Sequence, residues 1–568
     1  MFRGRRLFVT LALAAVAAFF LAFLVYPLFY VLKGSVVKDG AWTLEHFRTA
    51  LDYWYFRGAV VNSLLLGVTV TLLTTAIALP LAAATVRYDF PLKRMVGVLV
   101  LLPLVLPPFV GAIGIKQMFA HSGAVNAFLS RVTWVLSEVG ILDAPVDVAI
   151  EWTRGGFWMV AALTTLHLYP IMYLNVAASL ASVDRSCEEA AENLGASRWN
   201  VFRRVTFPLM LPGYFAGASI VFIWAFTDLG TPLVLNYPQV IPRQIYDKLN
   251  ETSSYPLVVM VLVVTALMFV SARWFVRGRL HARMSRGAVR ATPKKASRRG
   301  TFFILLFVFG VTFIAVLPHI AVVLSAVAAP GSWQGTVLPT EFTLDNFVEI
   351  GTHRTALPSI LNSLFYSALA TAGAVVIGLV IAWLLTRERF FGQAVLDTTV
   401  MMPLAIPGIA LAFGYVMSFR DGPLNPMRNP VPLLVISYIV RRLPYMVRSA
   451  VAGFQHVSRS LEEASTNLGA GGLTTLRRIT IPLVAANLLA GAILTFIFSM
   501  FEVSQSLVLA QDPRFFPIAG ALNRLGGRFS DGPWLACAMG VAGMVVLGTG
   551  LIVVGRFMGR RLGEVFRA

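Results

Sequence analysis

Among the ionisable side chains that fall inside apolar runs of this chain, four stand out: Asp228, Arg441, Arg442 and Glu502. A charge held in bilayer hydrocarbon is costly, so such residues line paths, relay ions or hold a partner charge. Asp228 and Glu502 stand 274 positions apart in corresponding runs, both toward the outer end. Their oxygens suit a cation path or a hydrogen-bonded gate. The plainer alternative is that each accepts hydrogen bonds from backbone loosened by Gly230-Thr231-Pro232, or pairs with an arginine. Arg441 and Arg442 sit mid-way along another run, ahead of Pro444; the corresponding run has His167 and Leu168 ahead of Pro170. A guanidinium pair suits an anionic substrate or an anion-bound metal. A salt bridge to Glu502, or solvation where proline kinks the helix, is the plainer reading.

A second constellation is a polar loop carried twice. Glu189-Ala190-Ala191, Gly195 and Pro208 recur as Glu463-Ala464-Ser465, Gly469 and Pro482, with Glu188 and Glu462 beside them. Asn193-Leu194-Gly195-Ala196 matches Asn467-Leu468-Gly469-Ala470, and Arg203-Arg204 matches Arg477-Arg478. Small residues let a partner surface approach closely. Gly195 and Gly469 can end a short helix in left-handed geometry. Pro208 and Pro482 suit the first turn of the next helix. Glu189 and Glu463 offer charges to a partner. One copy could be an ordinary helix connection; two with the same internal spacing argue for a shared role.

Several chemistries find no support. No G-x-x-x-x-G-K-[ST] loop is present, so nucleotide hydrolysis is not expected of this chain. No H-E-x-x-H, paired C-x-x-C or nucleophile elbow appears, and the 7 His show no metal-ligand spacing. Cys187 and Cys537 are not expected to bridge.

The elements that must position these residues are membrane helices. The chain has 568 residues, 57% hydrophobic and 13% charged, with mean hydropathy +0.75. Continuous apolar runs of about 20 residues span a bilayer as helices, because lipid leaves the backbone to satisfy itself. Twelve are predicted, at 7–32, 59–86, 95–118, 157–181, 209–235, 256–276, 302–328, 358–386, 394–418, 432–455, 483–510 and 534–556. The first is read as an uncleaved span, since its apolar run is too long for a signal peptide. The net charge of +20 comes from arginine and lysine at the start, at 273–299 and at the end. That distribution follows the positive-inside rule and places both termini, the central stretch and the duplicated loops in the cytoplasm. It fits attraction to anionic membrane lipids rather than nucleic acid.

The two halves are direct repeats. Asn62-Ser63-Leu64, Pro103, Pro107 and Gly114 recur 300 positions on as Asn362-Ser363-Leu364, Pro403, Pro407 and Gly414. The polar loops recur at 274 (463 − 189), so the first half carries 26 extra residues (300 − 274). They are assigned to an outside loop at 119–156, which holds Asp143, Asp147 and Glu151. The domains read as 1–276 with its loop at 182–208, a basic linker at 277–301, and 302–568 with its loop at 456–482. The linker reads as a simple flexible connection.

The duplicated loop resembles the "EAA" loop of bacterial binding-protein-dependent ABC importers, E-A-A-x-x-x-G followed by I-x-L-P; Ser465 and Phe207 depart from that pattern. The resemblance implies an all-α polytopic membrane protein of about twelve spans, two direct six-helix repeats of the type I importer permease fold, both membrane halves fused. It implies a non-catalytic subunit in the bacterial inner membrane, with a cytoplasmic ABC ATPase dimer docked on the loops. A periplasmic or lipid-anchored substrate-binding protein would deliver cargo for transport by alternating access. No cofactor is expected in this chain; ATP and Mg would sit in the ATPase, and no metal site is assigned. The Phe226-Thr227-Asp228-Leu229-Gly230-Thr231-Pro232 and Arg442-Leu443-Pro444-Tyr445 stretches look most like the ferric-iron group, with thiamine, phosphonate and polyamine permeases as alternatives. A secondary transporter would need no duplicated loop. A membrane enzyme would need a catalytic cluster that the sequence does not show.

Overall fold

The computed structural model describes residues 2–104, 107–152, 156–280, 293–527 and 532–558. The first half runs through α1 (2–36), α2 (Trp54–Arg87), α3 (Lys93–Leu99), α4 (Pro108–Met118) and α5 (Ala124–Glu138). It continues with α6 (Phe157–Ala181), α7 (Arg185–Asn193), α8 (198–226), α9 (Gly230–Val234) and α10 (Ser254–Leu280). The second half repeats this as α11 (Arg298–Val327), α12 (Ala356–Arg387), α13 (Gln393–Met401), α14 (Gly408–Ser418) and α15 (Val431–His456). Then come α16 (Arg459–Asn467), α17 (472–500), α18 (Ser504–Leu509) and α19 (Gly532–Met558). Among the described residues nine helices are long and apolar enough to cross a membrane, and eleven spans result if each of two bent pairs counts as one. The remaining expected span, α15, has 26 residues; Arg441, Arg442 and Arg448 keep it off that count.

Four helices predicted as continuous are broken. The 95–118 and 394–418 segments bend by 87° and 99° between α3 and α4 and between α13 and α14. Pro107 and Pro407 stand at these breaks in extended geometry, each capping the following helix. Proline lacks an N–H and pushes its predecessor out of the helical region, so paired prolines set the corner. The 209–235 and 483–510 segments stop at Phe226 and Met500 and resume at Gly230 and Ser504. Asp228 and Glu502 therefore lie in irregular breaks rather than in helix interiors. Pro208 and Pro482 also depart from expectation. The helix does not begin at them but runs through a π turn, Phe202–Thr206 or Leu476–Thr480, just ahead of each proline. The wider turn re-routes hydrogen bonds where the proline has none to offer.

The 119–156 segment is more than a loop: it contains α5, which has no counterpart at 419–430. The linker also departs from a simple connection. Residues 281–292 lie outside the described residues, but β2 (Lys294–Lys295) pairs in parallel with β1 (Tyr88–Asp89), and the Ala296 N–H donates to the Asp89 carbonyl at 3.0 Å. The linker's end is thus bound to the first half.

The halves exchange their first helices. α1 packs on α14 of the second half, and α11 packs on α4 of the first. The repeated glycines permit this. A Cβ on Gly114 would lie 2.7 Å from the Val322 backbone nitrogen, and one on Gly414 would lie 3.1 Å from the Pro27 carbonyl oxygen. Tyr415 Oη donates across the same contact to the Phe23 carbonyl at 2.6 Å. The repeated serines have matching tasks: Ser63 Oγ accepts from the Ile241 N–H at 2.8 Å and Ser363 Oγ from the Ile518 N–H at 2.7 Å. Each satisfies a donor that a helix start leaves unpaired.

Candidate coupling and translocation site

The two polar loops fold alike. Asp184 caps α7 by accepting from the Ser186 N–H at 3.0 Å, and Ser458 caps α16 by accepting from the Ser460 N–H at 3.3 Å. Side-chain oxygens at this position are what a helix start lacks. The C-terminal ends close on Gly195 at φ +84° and Gly469 at φ +87°. The Ala196 and Ala470 N–H groups reach back to the carbonyls of Ala191 and Ser465 at 3.0 and 3.1 Å. This is the left-handed closure that glycine permits without strain.

The paired glutamates divide their work. Glu188 is buried, and Arg87 donates to both of its oxygens, through Nη1 at 2.5 Å and through Nη2; Thr206 Oγ1 donates as well. In the second copy Arg387 Nε donates to Glu462 at 2.9 Å and Thr480 Oγ1 at 3.0 Å. Each brace ties a short helix to the end of α2 or α12 and to the π turn entering α8 or α17. Burial alone would raise the Glu188 pKa, but hydrogen bonds from Arg87 and Thr206, with the Arg87 charge, hold it below its ordinary 4.5. Arg87 and Arg387 were not singled out in the sequence, although they recur at the 300 offset and Thr206 and Thr480 at 274. Glu189 and Glu463 face solvent, as do Ala190 and Ala464, while Ala191 is half-buried and Ser465 buried. Glu189 is not wholly free for a partner: Arg185 Nε lies 3.1 Å away, one turn earlier. Beside them Leu194 and Leu468 are each 89% exposed, and Trp199 and Leu473 also stand in the open. Each tip thus sets an exposed apolar side chain beside an exposed acid.

Inside the membrane region the charges sort unequally. Glu502 is buried and takes a hydrogen bond from Arg442 Nη2, with Arg441 Nε 3.7 Å away. Arg442 Nη2 also donates to the Phe498 carbonyl at 3.0 Å, and Arg441 Nη1 to the Ile406 carbonyl at 2.9 Å. Gly408 makes room: a Cβ there would lie 3.1 Å from both Arg441 Nη1 and Glu502 Oε1. The arginines are therefore engaged with Glu502, the plainer of their two readings. Asp228 has no such partner among the described residues. Its Oδ1 accepts from the Gly230 N–H at 3.0 Å and the Thr231 N–H at 3.5 Å, and its Oδ2 is buried with no hydrogen bond. The two breaks meet across the halves: a Cβ on Gly230 would lie 3.3 Å from Val503 Cγ1. Among the described residues no group of three or more His, Cys, Asp or Glu is placed to hold a metal, and both cysteines are free.

This architecture has known relatives. The chain is 28% identical over 560 residues to the ferric transport system permease protein FbpB of Actinobacillus pleuropneumoniae, covering 96% of this chain and 77% of that protein. It is 28% identical over 525 residues to the putative ferric transport system permease protein FbpB 1 of Haemophilus influenzae, covering 90% and 79%. The molybdate/tungstate transport system permease protein WtpB of Thermococcus kodakarensis is 26% identical over 282 residues, 49% of this chain and all of that one. Residues 75–281 and 374–563 each match the family described as binding-protein-dependent transport system inner membrane component. With two copies of that domain in an all-α polytopic frame, the chain belongs to this family as a fused, non-catalytic membrane permease.

Proposed function

We propose that this chain carries ferric iron across the inner membrane as the permease of an ATP-driven importer. The ferric transport permeases similar to it over nearly its whole length support that cargo. The observation that carries the mechanism is the duplicated brace. A force applied to α7 or α16 passes through Arg87–Glu188 or Arg387–Glu462 into two spans at once. An ATPase dimer bound to the exposed tips would pull both halves together on binding ATP and Mg. The halves would then part where Gly230 meets Val503, open outward, and accept cargo from a docked extracytoplasmic binding protein. Hydrolysis would restore the inward state, a shift between two populations driven by ATPase contacts. Both termini and the duplicated loops face the cytoplasm in this scheme.

Asp228, with one oxygen unpartnered, is the side chain of the candidate path best suited to meet a cationic cargo. Glu502, Arg441 and Arg442 would act as a closed latch beside it. The test is ATPase activity of the reconstituted complex with its binding protein loaded in turn with ferric iron, molybdate, thiamine, a phosphonate and a polyamine. Selective stimulation by ferric iron is expected; stimulation by molybdate or a phosphonate instead would overturn the cargo. Glu189→Arg/Glu463→Arg should abolish uptake with insertion intact, and normal uptake by that variant would remove the role given to the tips.

A further inference from the structure

The end of the linker lines a cleft beside the first coupling helix. Between α2, α7 and the start of α11 lies a cleft of about 1180 Å³. That exceeds the roughly 300–1,000 Å³ of a small-molecule pocket. Leu79, Val86, Met210, Phe303 and Ile304 supply an apolar wall, and Phe303 is 65% exposed. Lys294, Lys295 and Arg198 line the same cleft, are exposed, and have no ion-pair partner among the described residues. An apolar wall continuous with membrane spans and a rim of exposed cations at their ends, the cytoplasmic ends in the orientation proposed above, is complementary to an amphiphile with a phosphate head. A free phosphate would leave the apolar wall unused.

We propose that this cleft holds one anionic phospholipid of the cytoplasmic leaflet, its phosphate on the Lys294–Lys295–Arg198 rim and its acyl chains along α2 and α11. The site exists because the halves are fused: β2 forms one side of it by pairing with β1. At the corresponding place in the second half the residues are Glu388 and Arg389, and Gly472 replaces Arg198. Glu188, Glu189 and Glu192 of α7 form another side. The lipid therefore buttresses α7, the coupling helix of the first half.

The experiment uses the full chain in nanodiscs containing phosphatidylglycerol or phosphatidylcholine, read by native mass spectrometry and by cross-linking with a photoreactive phosphatidylglycerol. One retained phosphatidylglycerol is expected, cross-linked within 79–87 or 294–304. Lys294→Gln/Lys295→Gln should weaken retention about thirtyfold, at roughly 1 kcal/mol per lysine, and Lys294→Arg/Lys295→Arg should restore it. Equal retention of both lipids, cross-links confined to other regions, or an unchanged Gln variant would overturn the proposal. So would displacement by inorganic phosphate alone, which would identify a free-anion site. Loss of the lipid on adding the ATPase would overturn it too, by assigning the cleft to the docking surface.

Discussion

The two braces look equivalent in sequence, yet their burial predicts unequal responses to the same substitution. In the second half the Arg387 side chain is 8% exposed, whereas Arg87 in the first is 35% exposed. Glu462→Gln strands a buried guanidinium, and breaking a buried ion pair from one side costs about 3–5 kcal/mol. Arg387 keeps a hydrogen bond to the Val457 carbonyl at 3.0 Å and its place over the Phe454 ring, so the lower end, about 3 kcal/mol, applies. Glu188→Gln leaves an arginine that water can reach, and the loss falls to about 1 kcal/mol. Local opening of α16 should then rise about 150-fold, and that of α7 about fivefold. Hydrogen exchange of 185–195 and 459–469 in nanodiscs reads both, alongside ATP hydrolysed per cargo moved. Arg387→Gln/Glu462→Gln should be less damaging than Glu462→Gln alone, because it removes both charges. If Glu188→Gln opened its helix as much as Glu462→Gln does, or the double variant were no better than the single, burial of the arginine would not set the two responses.

Other expectations follow from the same geometry. The Glu188 carboxyl is held below its ordinary 4.5, so its contribution is fully present above that value and lost as pH falls through the lowered one; exchange at α7 should stay flat down to about pH 4.5 and rise below it. Gly195 and Gly469 have positive φ and nothing within 4 Å of an added Cβ, so substitution there strains the backbone alone. Gly195→Val should destabilise the loop by about 1–2 kcal/mol and Gly195→Asn by less, read as binding of the ATPase subunit; equal effects would refute the conformational reading. In the latch, Glu502→Gln leaves two half-buried arginines without their counter-charge, whereas Arg442→Gln leaves Arg441 beside Glu502. Thermal unfolding in detergent should place Glu502→Gln lowest, and the reverse order would show that the arginines are not held by Glu502.

Much of the candidate site was legible because its signals are local. The tips are read from spacing alone: an acid, small residues and a glycine within one short helix obey nearest-neighbour rules. Their duplication separates them from ordinary turns. The partners of Glu188 and Glu462 were not legible, because Arg87 and Arg387 lie 101 and 75 residues away in the chain, and no periodicity links them. The same holds for the intramembrane charges. Their types and positions announced a role, but the alternatives at Glu502 and Asp228 could be separated only by seeing which guanidinium reached which carboxylate.

What the sequence by itself determined is the material of the fold: apolar runs that must become helices in lipid, and repeats that make the halves alike. These follow from composition and short-range spacing, which act before any tertiary contact forms. Tertiary structure alone decided where helices bend and stop, how α1 and α11 cross to the opposite half, and that the linker's end pairs with β1. Those outcomes depend on close approach at Gly114 and Gly414 and on charges meeting across distant segments. They are decided by which surfaces fit, a property of the assembled chain rather than of any window within it.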